Sequence, residues 1–475
     1  MSAQKVIRQF IDGVWMDGAG QRLFVDDKFS GERLATLDAA TVAQVDDAVR
    51  AARRGFEAQR LEPAERARLL SCAADGVLAA QEELTECIIA ESGVPWKDSS
   101  NEVRRAAETL RLSAEEGRRL VGEMVPIEGA AGQSARRAFT IRVPRGVVGG
   151  ISSFNSPLNM AVHKIAPALA SGNAVVFKPP SATPLSATRL FEILLEAGVP
   201  PALLNLVHGS GEVGRALVAH PGVDFLSFTG STEVGRAIRA ARGLRPVALE
   251  LGSIAATLVL KDGDLDRAAM RAAQSGFRRQ GQACTSTQRL FVERSVLERF
   301  TGKFLAAVGA LVVGDPRDPA TDIGPMISEA EAVRAESWVR EAVAAGATVL
   351  AGGTRDGAIL RPTVLAGARA DMRVLCAEIF APVLSIIPFD DLDAAVDEVN
   401  ATPFGLAAGV FTRDLSTAFR LAERIRVGVV HLNDASSSRV DLMPFSGVKD
   451  SGVGVEGPRY AMREMTEERL VTISL

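Results

Sequence analysis

Between residues 146 and 251 short apolar runs alternate with helix-period segments, and this rhythm restricts the fold more than any other feature of the chain. "GVVGGI", "NAVVFK", "LLNLV", "DFLSFT" and "PVALEL" are each too short for a helix, and turn-forming residues separate them from their neighbours. Between them lie "PLNMAVHKIAPALASG", "PLSATRLFEILLEAG", "GEVGRALVAH" and "STEVGRAIRAARG", with apolar residues three and four positions apart. Strands joined through helices form right-handed crossovers, so the segment predicts a parallel sheet covered by helices, an α/β fold. Such a sheet binds ligands beyond the carboxyl ends of its strands.

The flanking segments fit the same class. Residues 42–121 predict three helices, the second running through "PAERARLLSCAADGVLAAQEELTECIIAESG". Past residue 252 a second α/β region follows, with helices in "LDRAAMRAAQSGFRRQ", "SVLERFTGKFLAAVGAL" and "EAEAVRAESWVREAVAAGA" and strands in "RLFVE", "TVLAGG" and "VLSIIPF". "RRAFTIRVP" (136–144) and the tail "RLVTISL" read as β segments that add to a sheet edge, including one on a neighbouring subunit.

Bulk properties exclude several classes. A chain of 475 residues with 47% apolar and 24% charged residues has the balance of a globular protein of two or three domains. The net charge of −4, without a clustered basic surface, argues against nucleic acid as a partner. No apolar run reaches the roughly 18 residues of a membrane span, and the N-terminus lacks a signal-type apolar stretch. Cys72, Cys87, Cys284 and Cys376 show no CxxC spacing, which argues against a disulfide framework or a bound metal and suits the cytoplasm.

Polar residues at strand ends and in the glycine-rich loop "GQACTSTQRL" are the candidates for chemistry. Cys284 is a candidate nucleophile, although a lone thiol is more often a small buried side chain. Glu250 ends an apolar strand, where burial raises a carboxylate's pKa and suits a general base, an ion pair being the alternative. Asn155 carries an amide able to donate to an oxyanion, or simply begins a turn before Pro157. Lys178 ends "NAVVFK" and is expected at the cofactor edge of the sheet rather than in the core. Gly230 and Ser231 mark a strand-to-helix turn where a phosphate can approach the helix N-terminus, although tight packing explains them as well.

Seven stretches in collinear order give these residues a context. "SSFNSPL", "GNAVVFKPPSATP", "SFTGSTEVG", "LELGS", "GQACT", "EIFAPV" and "PFSGVKDSGVG" resemble the motifs of the aldehyde dehydrogenase superfamily over nearly the whole chain. The resemblance implies a Rossmann-like cofactor domain (1–121 and 142–251), a catalytic α/β domain (252–457) and a small β oligomerisation arm (122–141 and 458–475). It implies Cys284 as nucleophile, the Asn155 amide with the Cys284 backbone N–H as oxyanion donors, and Glu250 as the base that hydrolyses a thioester. Lys178 and Glu378 would hold the cofactor riboses, Ser231 would meet the pyrophosphate, and Phe380 would lie beside the nicotinamide. A homodimer or homotetramer is implied as well.

Several positions depart from the family pattern: Ser253 follows Gly252 where a second glycine is usual, Ala381 and Ser446 replace glycines, and Val455 replaces an arginine. Ser253 is expected to narrow the space near the nicotinamide. Ser181 stands where many NAD-preferring relatives have a glutamate; without that carboxylate's repulsion of a 2′-phosphate, either NAD or NADP is expected as cofactor. The C-terminal motif resembles the branch acting on lactaldehyde, phosphonoacetaldehyde and sulfoacetaldehyde, so the expected substrate is a small anionic or hydroxylated aldehyde. Arg105, His163 and Arg439 are candidates to bind its tail, an arginine fork matching a phosphonate, sulfonate or carboxylate; a solvated helix face for Arg105, a satisfied core histidine for His163 and a surface loop charge for Arg439 are the alternatives. Ala283, directly before the cysteine, replaces an arginine found in some phosphate-using relatives and argues against a strong dianion site. An acylating enzyme delivering its product to coenzyme A, and a non-catalytic nucleotide-binding scaffold, are the alternatives.

Overall fold

The structure, a computed structural model, describes residues 5–475. The apolar runs of the first paragraph form the centre of an eight-stranded sheet. Its strands lie in the order Gly452–Val453, Val247–Glu250, Phe225–Thr229, Val147–Ile151, Ala174–Lys178, Leu204–Leu206, Gln9–Ile11, Val14–Met16. The five strands from Val247–Glu250 to Leu204–Leu206 are parallel, and the outer pairings are antiparallel. Chain order runs outward in one direction from Val147–Ile151 and then reverses to Phe225–Thr229 beside it. That reversal opens a crevice at the carboxyl ends of these two strands, the place where α/β sheets bind ligands.

Four helices, not three, precede this sheet: Val42–Ala58, Pro63–Ala79, Gln81–Ser92 and Trp96–Arg118. The long predicted second helix breaks at Ala80, which closes one helix and starts the next. Because the apolar period continues across the break, the sequence carries little sign of it. The strands within residues 5–38 were also not foreseen; three of them form a separate small sheet.

A second, seven-stranded sheet has the order Thr348–Ala351, Thr363–Ala366, Val383–Phe389, Thr287–Glu293, Ala255–Val259, Ala407–Phe411, Val429–Leu432. Only its first pairing is antiparallel. The tail strand Thr466–Ser474 pairs antiparallel with Arg136–Pro144 of the same chain, and Met124–Val125 lies on the other side. Each large sheet has its own apolar core. Among the described residues no helix is long and apolar enough to cross a membrane.

Candidate active site

A cavity of about 510 Å³ lies at the carboxyl ends of the first sheet and is closed by loops that precede strands of the second. That volume is typical of a small-molecule site. Asn155, Glu250 and Cys284 all line it. Asn155 follows the strand Val147–Ile151 and leads into the helix Pro157–Ala170. Its Oδ1 accepts from Ser153 Oγ at 2.8 Å, and its Nδ2 donates to the Gln282 carbonyl at 2.8 Å. An amide nitrogen carries two hydrogens, so one remains for a ligand beside Cys284.

Cys284 is half-buried in the loop before the strand Thr287–Glu293. Burial first, and then the nearby Glu250 carboxyl, push its thiol up to about 12. The loop enters through three consecutive left-handed residues: Arg279 (φ 53°), Gln280 (φ 57°) and Gly281 (φ 67°). A Cβ on Gly281 would lie 2.1 Å from the Ala381 carbonyl oxygen, so only glycine fits there. Arginine adopts this conformation only where its surroundings over-determine it. Arg279 Nη1 donates to Glu102 Oε2 at 2.8 Å and also to the Asn155 carbonyl. The other Glu102 oxygen accepts the Leu158 and Asn159 amides at 2.9 and 3.1 Å, closing the N-terminus of Pro157–Ala170. Glu102 and Arg279 therefore fasten the asparagine turn to the cysteine loop. Sequence reading missed both. The available signal was a carboxylate on the apolar stripe of its helix, four and eight residues before Ala106 and Leu110.

Glu250 is 5% exposed, and its Oε2 has no hydrogen-bond partner. Burial, reinforced by the neighbouring Glu456, raises its pKa well above the usual carboxylate range against the opposing pull of Lys164 and Arg439. Burial acts on Glu456 too, but Lys164, His163 and Arg439 outweigh it and hold that carboxyl ionised. The two carboxyls are thus shifted in opposite directions.

On the cofactor side, Gly230 and Ser231 line the cavity. Ser231 Oγ accepts from the Val234 amide and caps the helix Thr232–Arg242, whose N-terminus opens onto the cavity. A Cβ on Gly252 would lie 2.7 Å from Glu378 Oε2 and 3.0 Å from Thr232 Oγ1, so the backbone there packs directly against both side chains. Glu378 Oε1 accepts the Ser253 amide at 2.8 Å, and burial raises its carboxyl to about 7. Phe380 (φ 49°) meets the Phe154 ring edge-on at 5.8 Å. Lys178 is buried rather than solvated; its Nζ donates only to the Pro179 carbonyl, and burial lowers its pKa to about 8. Ser181 Oγ donates to the Gly209 carbonyl at 2.9 Å. Pro180 lines this cavity, and Lys178 and Ser181 do not. Ser253 is buried and does not line this cavity; with Glu378 and Phe380 it lines a small neighbouring one.

Of the three tail-binding candidates, Arg105 and Arg439 line the cavity and His163 does not. His163 is fully buried, with Nε2 2.9 Å from Asp441 Oδ1, and burial lowers its pKa. Its place as a direct substrate ligand is therefore corrected: it contacts the residue that holds Arg105. Arg105 forms a two-point bridge to Asp441, and Arg439 pairs with Glu456 at 2.8 Å. Three further arginines line the wall unforeseen, Arg279 paired with Glu102, Arg278 paired with Asp98 and Arg334 paired with Glu331. Ala283 also faces the cavity, confirming that the residue before the cysteine brings no charge to it.

Comparison with known proteins gives a consistent picture. The model described as "Aldehyde dehydrogenase family" matches residues 15–471. The 3-sulfolactaldehyde dehydrogenase of Priestia aryabhattai is 44% identical over 467 residues, covering 98% of each protein. Among solved structures, NADP-dependent glyceraldehyde-3-phosphate dehydrogenase from Bacillus halodurans C-125, complexed with NADP, superimposes with a TM-score of 0.96 at 36% identity, covering 99% of this chain and 100% of that one. Aldehyde dehydrogenase 21 from Physcomitrella patens, in complex with the reaction product succinate, also gives 0.96 at 36% identity, covering 99% of each chain.

Proposed function

The chain belongs to the aldehyde dehydrogenase family, and from that premise we propose that Cys284, Asn155 and Glu250 carry out the oxidation in the cavity they share. The protein is an NAD(P)-dependent aldehyde dehydrogenase. The Cys284 thiolate attacks the aldehyde carbon, and the carbonyl oxygen becomes an oxyanion. The free Asn155 Nδ2–H and the Cys284 backbone N–H donate to that oxyanion, each such donor typically contributing about 3–4 kcal/mol. Loss of hydride from the carbon leaves a thioester on Cys284. Glu250 then takes a proton from water, the resulting hydroxide attacks the thioester, and the carboxylic acid departs as the sulfur recovers its electron pair.

The residues present fit a dinucleotide: a capped helix N-terminus opens on the cavity, the Glu378 carboxyl lines it, and two of the three Lys178 ammonium hydrogens have no protein acceptor. Bound there, the nicotinamide supplies the acceptor for the hydride. Gly230 and Ser231 would hold the pyrophosphate, Lys178 and Glu378 the riboses, and Phe380 the nicotinamide edge. Ser181 has no charge to repel a 2′-phosphate, which favours use of NADP beside NAD. The domain roles follow, with residues 1–121 and 142–251 binding cofactor, 252–457 carrying the nucleophile, and 122–141 with 458–475 joining subunits of a cytoplasmic homo-oligomer.

The substrate is a small aldehyde with an anionic tail, of the kind named for the 3-sulfolactaldehyde dehydrogenase relative. One observation carries this reading: Arg105 and Arg439 line the same cavity as Cys284. The test is formation of reduced cofactor with NAD and NADP, using 3-sulfolactaldehyde, succinic semialdehyde, lactaldehyde and propanal. Anionic aldehydes are expected to give the highest kcat/KM, and Cys284→Ala to give none. Preference for propanal would overturn the substrate class, and turnover in Cys284→Ala would overturn the mechanism. Analysis of the product separates acid from acyl-CoA; Glu250 at the cavity wall favours the acid.

A further inference from the structure

The arginine–carboxylate pairs facing the substrate are joined to one another. Arg105, on the helix Trp96–Arg118, donates from Nε and Nη2 to the two oxygens of Asp441 at 3.0 and 2.7 Å. Asp441 Oδ1 also contacts His163 Nε2 at 2.9 Å and accepts from Asn159 Nδ2 at 3.3 Å. The Asp441 side chain is 4% exposed and that of Arg105 is 23% exposed, so the carboxylate stands behind and the guanidinium in front. On the far side of the imidazole, His163 Nδ1 makes no hydrogen bond, lying 4.0 Å from Glu456 Oε1; Arg439 Nη2, which donates to that oxygen at 2.8 Å, approaches His163 Nε2 at 3.5 Å. Lys164 holds the other Glu456 oxygen at 2.5 Å. Arg439 lies over the Phe445 ring at 4.0 Å, and its buried Nε has no partner.

The geometry points to Asp441 as the positioning residue that sets the charge preference of this site. It holds Arg105 from behind, and its other partner His163 lies against Arg439, so that both guanidinium groups offer their remaining donors to one monoanionic group, a sulfonate or a carboxylate. The inference rests on the reading of the cavity as the aldehyde site. A guanidinium gripped along one edge keeps a rigid second edge for a planar or tetrahedral oxyanion. The charge count agrees. Arg105, Arg439 and Lys164 face Asp441 and Glu456, three cations against two carboxylates, and burial disfavours a further negative charge on Glu250. One surplus positive charge matches one negative charge on the substrate, whereas a dianion would leave a buried charge uncompensated.

Position and charge predict opposite signs for Asp441→Asn. If Asp441 acted only through its charge, removing a negative group would strengthen anion binding. If it positions Arg105, anion binding weakens. Two ratios read this in the full-length enzyme: kcat/KM for succinic semialdehyde over propanal, and the rate of Cys284 alkylation by iodoacetate over iodoacetamide. The alkylation ratio needs neither turnover nor cofactor, so it reports on the receptor even if no aldehyde is oxidised and the functional reading fails. Both ratios are expected to fall roughly tenfold or more, with the first change residing in KM. A ratio that stays level or rises overturns the proposal. If Asp441→Asn does not fold, Arg105→Lys decides: it keeps the charge and loses the fork, so the same fall is expected, and an unchanged ratio again overturns the proposal.

Discussion

The resting thiol of Cys284 is biased towards its protonated form by its surroundings. Burial and the Glu250 carboxyl raise its pKa to about 12, and only the thiolate is nucleophilic. The sign is direct: below that pKa each pH unit gained multiplies the thiolate fraction about tenfold. Cofactor-free enzyme should therefore be alkylated by iodoacetamide at a rate that climbs steadily from neutral pH to pH ~9. A plateau below that pH would contradict the raised pKa. Glu250 adds its own signature, because a base must be ionised to accept a proton. Turnover limited by thioester hydrolysis should fall as pH drops through the elevated Glu250 pKa. Glu250→Gln should still form the thioester, seen as one rapid equivalent of reduced cofactor, and then stall by about 10²-fold or more. A variant without that first equivalent would place Glu250 in the acylation step instead.

At the scale of elements, the pair Glu102–Arg279 joins three pieces of backbone: the helix Trp96–Arg118, the start of Pro157–Ala170 and the left-handed entry to the cysteine loop. Both side chains are buried, so removing one charge leaves the other uncompensated. Glu102→Gln should cost about 3–5 kcal/mol, read as a lower denaturation midpoint. Gly281→Ala, which drives a Cβ into the Ala381 carbonyl, should impair the same loop without touching any charge. A Glu102→Gln protein as stable as the wild type would show that the pair orients and does not stabilise. These ties separate what was legible in the sequence from what was not. The parallel strands around Val147–Ile151 could be read because glycine and proline punctuate short apolar runs, and Cys284 could be read because its neighbours form a motif. Arg279 and Glu102 are 177 residues apart, and no local pattern pairs them. For His163 a substrate ligand and a core histidine both stay open in the sequence, because an apolar helix gives no sign of which polar group it will meet. Only the fold places Asp441 there. The break at Ala80 escaped notice for the complementary reason, since the helical period continues through it.

At the scale of the whole molecule, the sheet made by Thr466–Ser474, Arg136–Pro144 and Met124–Val125 has no core of its own. Met124, Leu470, Ile473 and Leu475 are all exposed on or beside it, and the outer edge of Thr466–Ser474 pairs with no strand among the described residues. A small sheet with apolar faces and an open edge is unstable in water and prone to pairing with another chain. Closed symmetric assembly with identical chains is the usual way to cover such a surface. The enzyme should therefore sediment and scatter light as a multiple of the single-chain mass. Placing lysine at both Leu470 and Ile473 puts charge where a partner would lie, and the mass should fall to that of one chain. The cavity residues named above all come from one chain. The dissociated protein should therefore keep its Cys284 alkylation ratio even if turnover drops, which separates loss of assembly from loss of the site. A wild-type enzyme that already scatters as a single chain would leave the arm exposed in solution and refute the assembly argument.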